Sequence, residues 1–135
     1  MDSRIPKGST DLGLLILRLV FGLYMAIGHG WGKIAGGAEG WADLGETMGL
    51  IGISFLPVVW GFLAALAEFV GALLVTVGFA TRIGAALLVG TMGMATLMHV
   101  MTGNGNPEKA IMYLVGFLVL FITGAGKYSV DAQMR

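Results

Sequence analysis

The sequence predicts an all-α integral membrane protein: one domain over residues 1–135, built as a four-helix bundle with a short interfacial or re-entrant segment between its first two helices. Two observations carry this reading. Of the 135 residues, 56% are hydrophobic and only 12% charged, whereas roughly 25% charged residues is usual in a soluble domain. The apolar residues also gather into four long runs, and a membrane crossing takes about 20. Disorder is excluded, because it needs low hydrophobicity and high net charge, while here eight basic and eight acidic residues cancel.

The stretch before Leu12 is short and polar, contains Pro6 and Gly8, and lacks the small-residue cleavage site of a signal peptide, so the first span is expected to stay in the mature chain. That span is expected over about 12–31, with Thr10 or Asp11 as its N-cap. Further apolar runs cover about 58–79, 83–101 and 110–125. All four are read as helices, since an open chain in lipid has no other way to satisfy its backbone. Ala80 to Arg82 form a tight turn, and Asn106-Pro107-Glu108 reads as cap, first-turn proline and first-turn acid of the last helix. Between the first two spans, 32–57 mixes glycines, Trp41 and three acids with an apolar stretch from Met48 to Leu56. This connection is expected to be a short interfacial or re-entrant helix, its apolar stretch being too short to cross a membrane alone.

Basic residues near the membrane set orientation. Arg4, Lys7, Arg82, Lys127 and Arg135 lie on the side of the termini, against Lys33 and Lys109 on the other, so both termini are expected in the cytoplasm of a bacterial or archaeal inner membrane. Trp31, Trp41 and Trp60 then fall at the outer interface, where aromatic belts sit and no ligand role is required of them.

Two charged residues lie well inside the runs, Arg18 and Glu68. Each costs at least about 2.5 kcal/mol unpaired at mid-membrane, and counting about 1.5 Å per residue from the span ends puts them at depths roughly 5 Å apart. An Arg18–Glu68 ion pair is therefore expected. At about 100° per residue, Asp11, Arg18, Gly22, Met25, His29 and Lys33 share one face of the first span. Glu68 shares a face with Gly61, Ala64, Ala65, Gly71 and Ala72, small residues against which the first span is expected to pack. His29 and His99 end their spans at the same surface. Two imidazoles at one depth, near Lys33 and Glu108, suit a quinone head group or a metal, and equally suit the plain task of capping helix ends.

Several classes drop out. Without cysteine there is no thiol catalysis, cysteine-ligated zinc or iron–sulfur cluster, and without a basic run there is no footprint for nucleic acid. Met94, Met98 and Met101 point more than about 100° away from His99, which argues against a copper(I) site. Haem ligation lacks a second matched pair of ligands, so no metal is expected.

At Leu17-Arg18-Leu19, His29-Gly30 and Lys33-Ile34, then Ala67-Glu68-Phe69-Val70-Gly71 and Gly78-Phe79-Ala80-Thr81-Arg82, and finally Gly124-Ala125-Gly126-Lys127-Tyr128-Ser129-Val130-Asp131, the chain resembles the DoxX family of small bacterial and archaeal membrane proteins. Ala125 stands where the family often has proline. The resemblance implies a four-helix membrane bundle and, for its best-known members, a small subunit of thiosulfate:quinone oxidoreductase or quinol oxidase complexes. It marks Arg18, His29, Lys33, Glu68 and the tail residues Gly124, Gly126, Ser129 and Asp131; His99 comes from phase and depth alone. The expected function is a quinone-linked redox subunit in the lipid bilayer, working with a protein partner or as a homo-oligomer, with His29, Lys33 and His99 near the quinone. The rivals are a non-catalytic scaffold or assembly partner and a small proton-linked transporter gated by Arg18 and Glu68.

Overall fold

Backbone groups in lipid must be satisfied within the segment itself, and in the computed structural model, which describes residues 8–135, the chain is helical throughout with no strand among those residues. Arg4, Pro6 and Lys7 lie outside the described residues. Helix α1 (Ser9–Met25) continues through a π turn (Ala26–Gly30) into α2 (Trp31–Ala35). Next come α3 (Gly37–Gly45) with a 3-10 turn (Glu46–Ile51), the long helices α4 (Pro57–Val77), α5 (Thr81–Thr102) and α6 (Glu108–Thr123), and a short α7 (Val130–Gln133). The continuous 9–35 helix, α4 and α5 are each long and apolar enough to cross a membrane, and α6 has 16 residues.

Four expectations on element ends need correction. The first helix starts at Ser9 after Gly8, so neither Thr10 nor Asp11 caps it; the Asp11 carboxylate instead accepts from the Lys127 N–H at 2.9 Å. It also runs on to Ala35 rather than stopping near Trp31, because the π turn absorbs one extra residue without breaking the helix. The single helix expected over 32–57 is confined, beyond the end of the first helix, to the glycine-rich 37–45 and a 3-10 turn over 46–51. Tertiary packing overrides propensity there: Trp41 lies edge-on to Phe62 at 4.9 Å, its Nε1 donates to the Lys33 carbonyl at 3.1 Å, and its own carbonyl sits where any side chain at Gly61 would be. The N-cap position of α6 is Pro107 rather than the expected Asn106, whose side chain accepts from the Glu108 N–H at 2.9 Å.

Helix α4 is the hub, packed against α1, α3 and α5, while α5 packs on α6 and α6 touches α1 to close the ring. The small-residue face of α4 serves three neighbours instead of span one alone: Gly61 meets α3, Ala72 meets Gly22 of α1, and Gly71 meets Gly84 of α5. Met25, Val75, Leu88, Phe117 and Leu120 form the core. Outside, Ile16, Ile27, Ile83 and Ile122 face away from the protein, each more than half exposed. An apolar exterior of this extent belongs against lipid. The bundle therefore has two polar ends: a tail end with the α4–α5 turn and α7, and a loop end with α2, α3 and 103–107.

Candidate functional site

The chemistry-bearing residues form two clusters, one at each end. At the tail end, helical N–H donors run out at the last carbonyls of α4; Gly78 N–H reaches Leu74 O and Val75 O, and Arg18 adds further donors. Its guanidinium, 2% exposed, donates from Nε to Val75 O (3.0 Å), from Nη2 to Thr76 O (3.2 Å), and from Nη1 to Ala125 O (3.1 Å) and Tyr128 O (2.8 Å). It thereby ties α1 to the end of α4 and to the tail. A cation at a helix C-terminus also complements the helix dipole. The turn beside it requires glycine: Gly78 has φ 74, and a Cβ there would stand 2.5 Å from Ser129 Cβ. Gly124, at φ 78 and ψ −169, occupies backbone space that only glycine reaches comfortably and turns the chain out of α6.

The tail then caps a distant helix. Helix α5 opens after Ala80, held at φ 46, with no cap of its own. Asp131 supplies one, accepting from Ala80 N–H (2.8 Å), Thr81 N–H (3.0 Å) and the Thr81 hydroxyl (2.7 Å). Ser129 caps α7 by accepting from Ala132 N–H at 3.1 Å. Burial pushes the Asp131 carboxyl up, but the Thr81 and Ala80 hydrogen bonds and the charge of Arg135 outweigh it and hold the group below its ordinary value. A carboxylate with a lowered folded pKa stabilises above its unfolded value, about 3.9, and loses that contribution as pH falls through the folded value. Asp131→Ala is thus expected to cost about 1 kcal/mol, constant between neutral pH and about pH 5, with the gap to the native chain closing below about pH 4. Thermal unfolding in detergent across that range checks it.

At the loop end, Glu68 is 2% exposed and pairs with Lys33, whose Nζ lies 2.8 and 2.7 Å from its two carboxylate oxygens. The expected Arg18–Glu68 pair is therefore not formed. Register explains why: α1 lies against α4 with Arg18 at the level of Val75 and Thr76, seven residues or about 10 Å along the axis from Glu68. The helix that continues to Ala35 carries Lys33 to Glu68 instead. Lys33 was already on the polar stripe with Arg18 and His29, so the signal was present.

Lys33 and Glu68 form a wall shared by two cavities, together with Ala95 and His99. On the α1–α6 side a polar cavity of about 270 Å³ brings His29, His99, Lys109 and Tyr113 together with the pair. The His99 Nδ1–H donates to Asn104 O at 2.6 Å, which leaves Nε2 of the neutral ring as an acceptor. His29 stands edge-on to Tyr113 at 5.7 Å. Tyr113 stacks on Phe117 at 5.9 Å and meets Phe21 at 5.5 Å, forming an aromatic floor between the cavity and the core. An apolar groove of about 580 Å³ between α1 and α6, lined by Val20, Phe21, Tyr24 and Met112, adjoins this cavity through Asn106, Lys109 and Tyr113. Sequence reasoning missed these last three, although 106, 109 and 113 recur at helical spacing. On the α3–α5 side lies a cavity of about 520 Å³ lined mostly by apolar residues. Met94, Met98 and His99 all line it; His99 stands at the shared wall and borders both spaces.

Comparison with known proteins joins the clusters to a family. The DoxX family model matches residues 13–101, a stretch that contains Arg18, His29, Lys33, Glu68 and His99. "Inner membrane protein YqjF" of Escherichia coli (strain K12) is 38% identical over 134 residues, covering 96% of this chain and 97% of that protein. No solved structure matches. With the family model over most of the helical core and a relative aligned along almost the whole length, this membrane protein belongs to the DoxX family.

Proposed function

We propose that the chain is a quinone-binding subunit of a membrane redox assembly, with the head group in the polar cavity beside Lys33 and Glu68. The observation that carries this is the junction of a polar cavity with an apolar groove at Asn106, Lys109 and Tyr113. An amphiphile with a small polar head and a long apolar tail fits such a pair of spaces. The donor set fits as well: His99 offers an acceptor through Nε2, and the His29 ring has no hydrogen-bond partner among the described residues, so it is free to donate. Together they suit both the hydroxyl and the carbonyl form of a head group. A bound quinone supplies two-electron, two-proton chemistry that the side chains themselves lack.

The proton-linked transporter loses its basis, because Arg18 is committed to carbonyls. In this proposal the continuous 9–35 helix, α4, α5 and α6 form a four-span bundle in a bacterial or archaeal inner membrane. The five-to-two basic bias puts both termini in the cytoplasm, and the internal pairing of Lys33 with Glu68 sharpens that bias. Electrons come from a partner subunit, since no cysteine cluster is present to carry them.

Binding of a short-chain quinone analogue to the purified protein tests the reading. His29→Ala and His99→Ala are each expected to weaken it about tenfold, equivalent to about 1.4 kcal/mol. Unchanged binding in both variants contradicts the site and leaves the scaffold reading.

A further inference from the structure

The polar cavity and the apolar groove meet at a cation that the fold does not use. Lys109 lines both spaces, is exposed, and has no hydrogen bond or ion pair among the described residues, where Lys33–Glu68 is the one salt bridge. Its neighbour Glu108 lines the groove and not the polar cavity, and no ion pair joins the two. Neither helix stability nor topology accounts for Lys109. It stands in the first turn of α6, where a cation opposes the helix dipole, and at the end of the molecule where it counts against the basic bias of the tail side. Charge in the cavity is otherwise balanced. Glu68 is its one carboxylate, taken on both oxygens by Lys33, and neutral imidazoles add no charge, so the Lys109 ammonium is left uncompensated at the mouth. A second donor stands beside it. Asn106 spends its Oδ1 on the Glu108 N–H, which leaves its amide N–H groups for a ligand, and it borders both spaces as Lys109 does.

We propose that this junction is an oxyanion subsite, in which Lys109 selects quinones that carry an acidic ring hydroxyl beside the alkyl chain. The inference rests on the quinone reading above. With the tail in the groove and the ring in the cavity, the ring position next to the chain lies at the junction, so an ionised oxygen there meets Lys109 and Asn106. Such a hydroxyl is a vinylogous acid and is already ionised at neutral pH. An ordinary quinol keeps its protons, and an ammonium as exposed as this one is too well screened by water and salt to remove them. The same screening keeps the gain modest. A neutral quinone leaves the ammonium to water, so the subsite admits it more weakly rather than rejecting it.

The test compares the affinities of the purified protein for two probes: a naphthoquinone with a hydroxyl beside a short alkyl chain, and the methyl ether of the same compound, which keeps the rings and the chain but has no charge. The native protein is expected to bind the hydroxy compound about fivefold tighter at low salt, the scale of an exposed ion pair. That preference should shrink as salt is raised. Lys109→Met is expected to bring the two compounds to parity, and Lys109→Arg, which keeps the charge, to retain the preference. Because Lys109 is exposed and bonded to nothing in the fold, both variants should unfold at the native temperature. Equal affinities in the native protein, a preference that survives Lys109→Met, or loss of both compounds in that variant overturns the proposal and leaves the quinone reading in place. Failure of the native protein to bind either compound contradicts the quinone reading itself, and the subsite falls with it.

Discussion

Lys33→Met is expected to destabilise the protein by about 3 kcal/mol, close to the loss on breaking a buried pair, and Glu68→Gln by only about 1 kcal/mol. The asymmetry follows from burial. The Lys33 side chain is 34% exposed and can turn its ammonium toward water when its partner goes, whereas Glu68, at 2%, is left as a buried charge without its ion-pair partner. The double change Lys33→Met with Glu68→Gln removes both charges and is expected to recover most of the loss. A double-mutant cycle of thermal unfolding in detergent reads the coupling; additive losses would mean that the pair does not form.

Arg18→Leu is the other large effect, at about 3–5 kcal/mol, since it removes four hydrogen bonds to carbonyls of α4 and the tail, two of them buried. Arg18→Lys is expected to restore little of this. A single ammonium cannot span carbonyls that belong to α4 on one side and to the tail on the other, as a planar guanidinium does. The loss should also show in the tail. Trypsin cleavage after Lys127, whose N–H is held by Asp11 in the native fold, is expected to rise in both variants. Native-like protection in Arg18→Leu would show that the tail docks without the guanidinium.

These two clusters mark how far the sequence could be read. The apolar runs gave the helices to within a few residues, because composition and length alone decide what can sit in lipid. The polar stripe of the first helix was likewise legible: Arg18, Gly22 and Met25 are buried on it, and His29 and Lys33 continue it to the cavity. The partner of Glu68 was missed although Lys33 lies on that same stripe, because depth was counted from span ends, and the π turn that prolongs the first helix leaves no mark in composition. Nor was the role of Asp131 legible. It caps a helix fifty residues upstream, a contact created only when the tail folds back, and family likeness marked the residue without saying why. Trp60 reads in sequence as an ordinary belt residue; only the packed structure leaves its N–H without an acceptor.

The central claim is that a quinone head sits between His29 and His99. An azidoquinone, photolysed on the purified protein and mapped by peptide mass spectrometry, tests it most directly. Adducts are predicted on 24–33 and 106–113, the parts of the first helix and of α6 and its cap that border the polar cavity, and excess unlabelled quinone should suppress them. Labelling spread evenly over the lipid-facing residues, and insensitive to competitor, would contradict it.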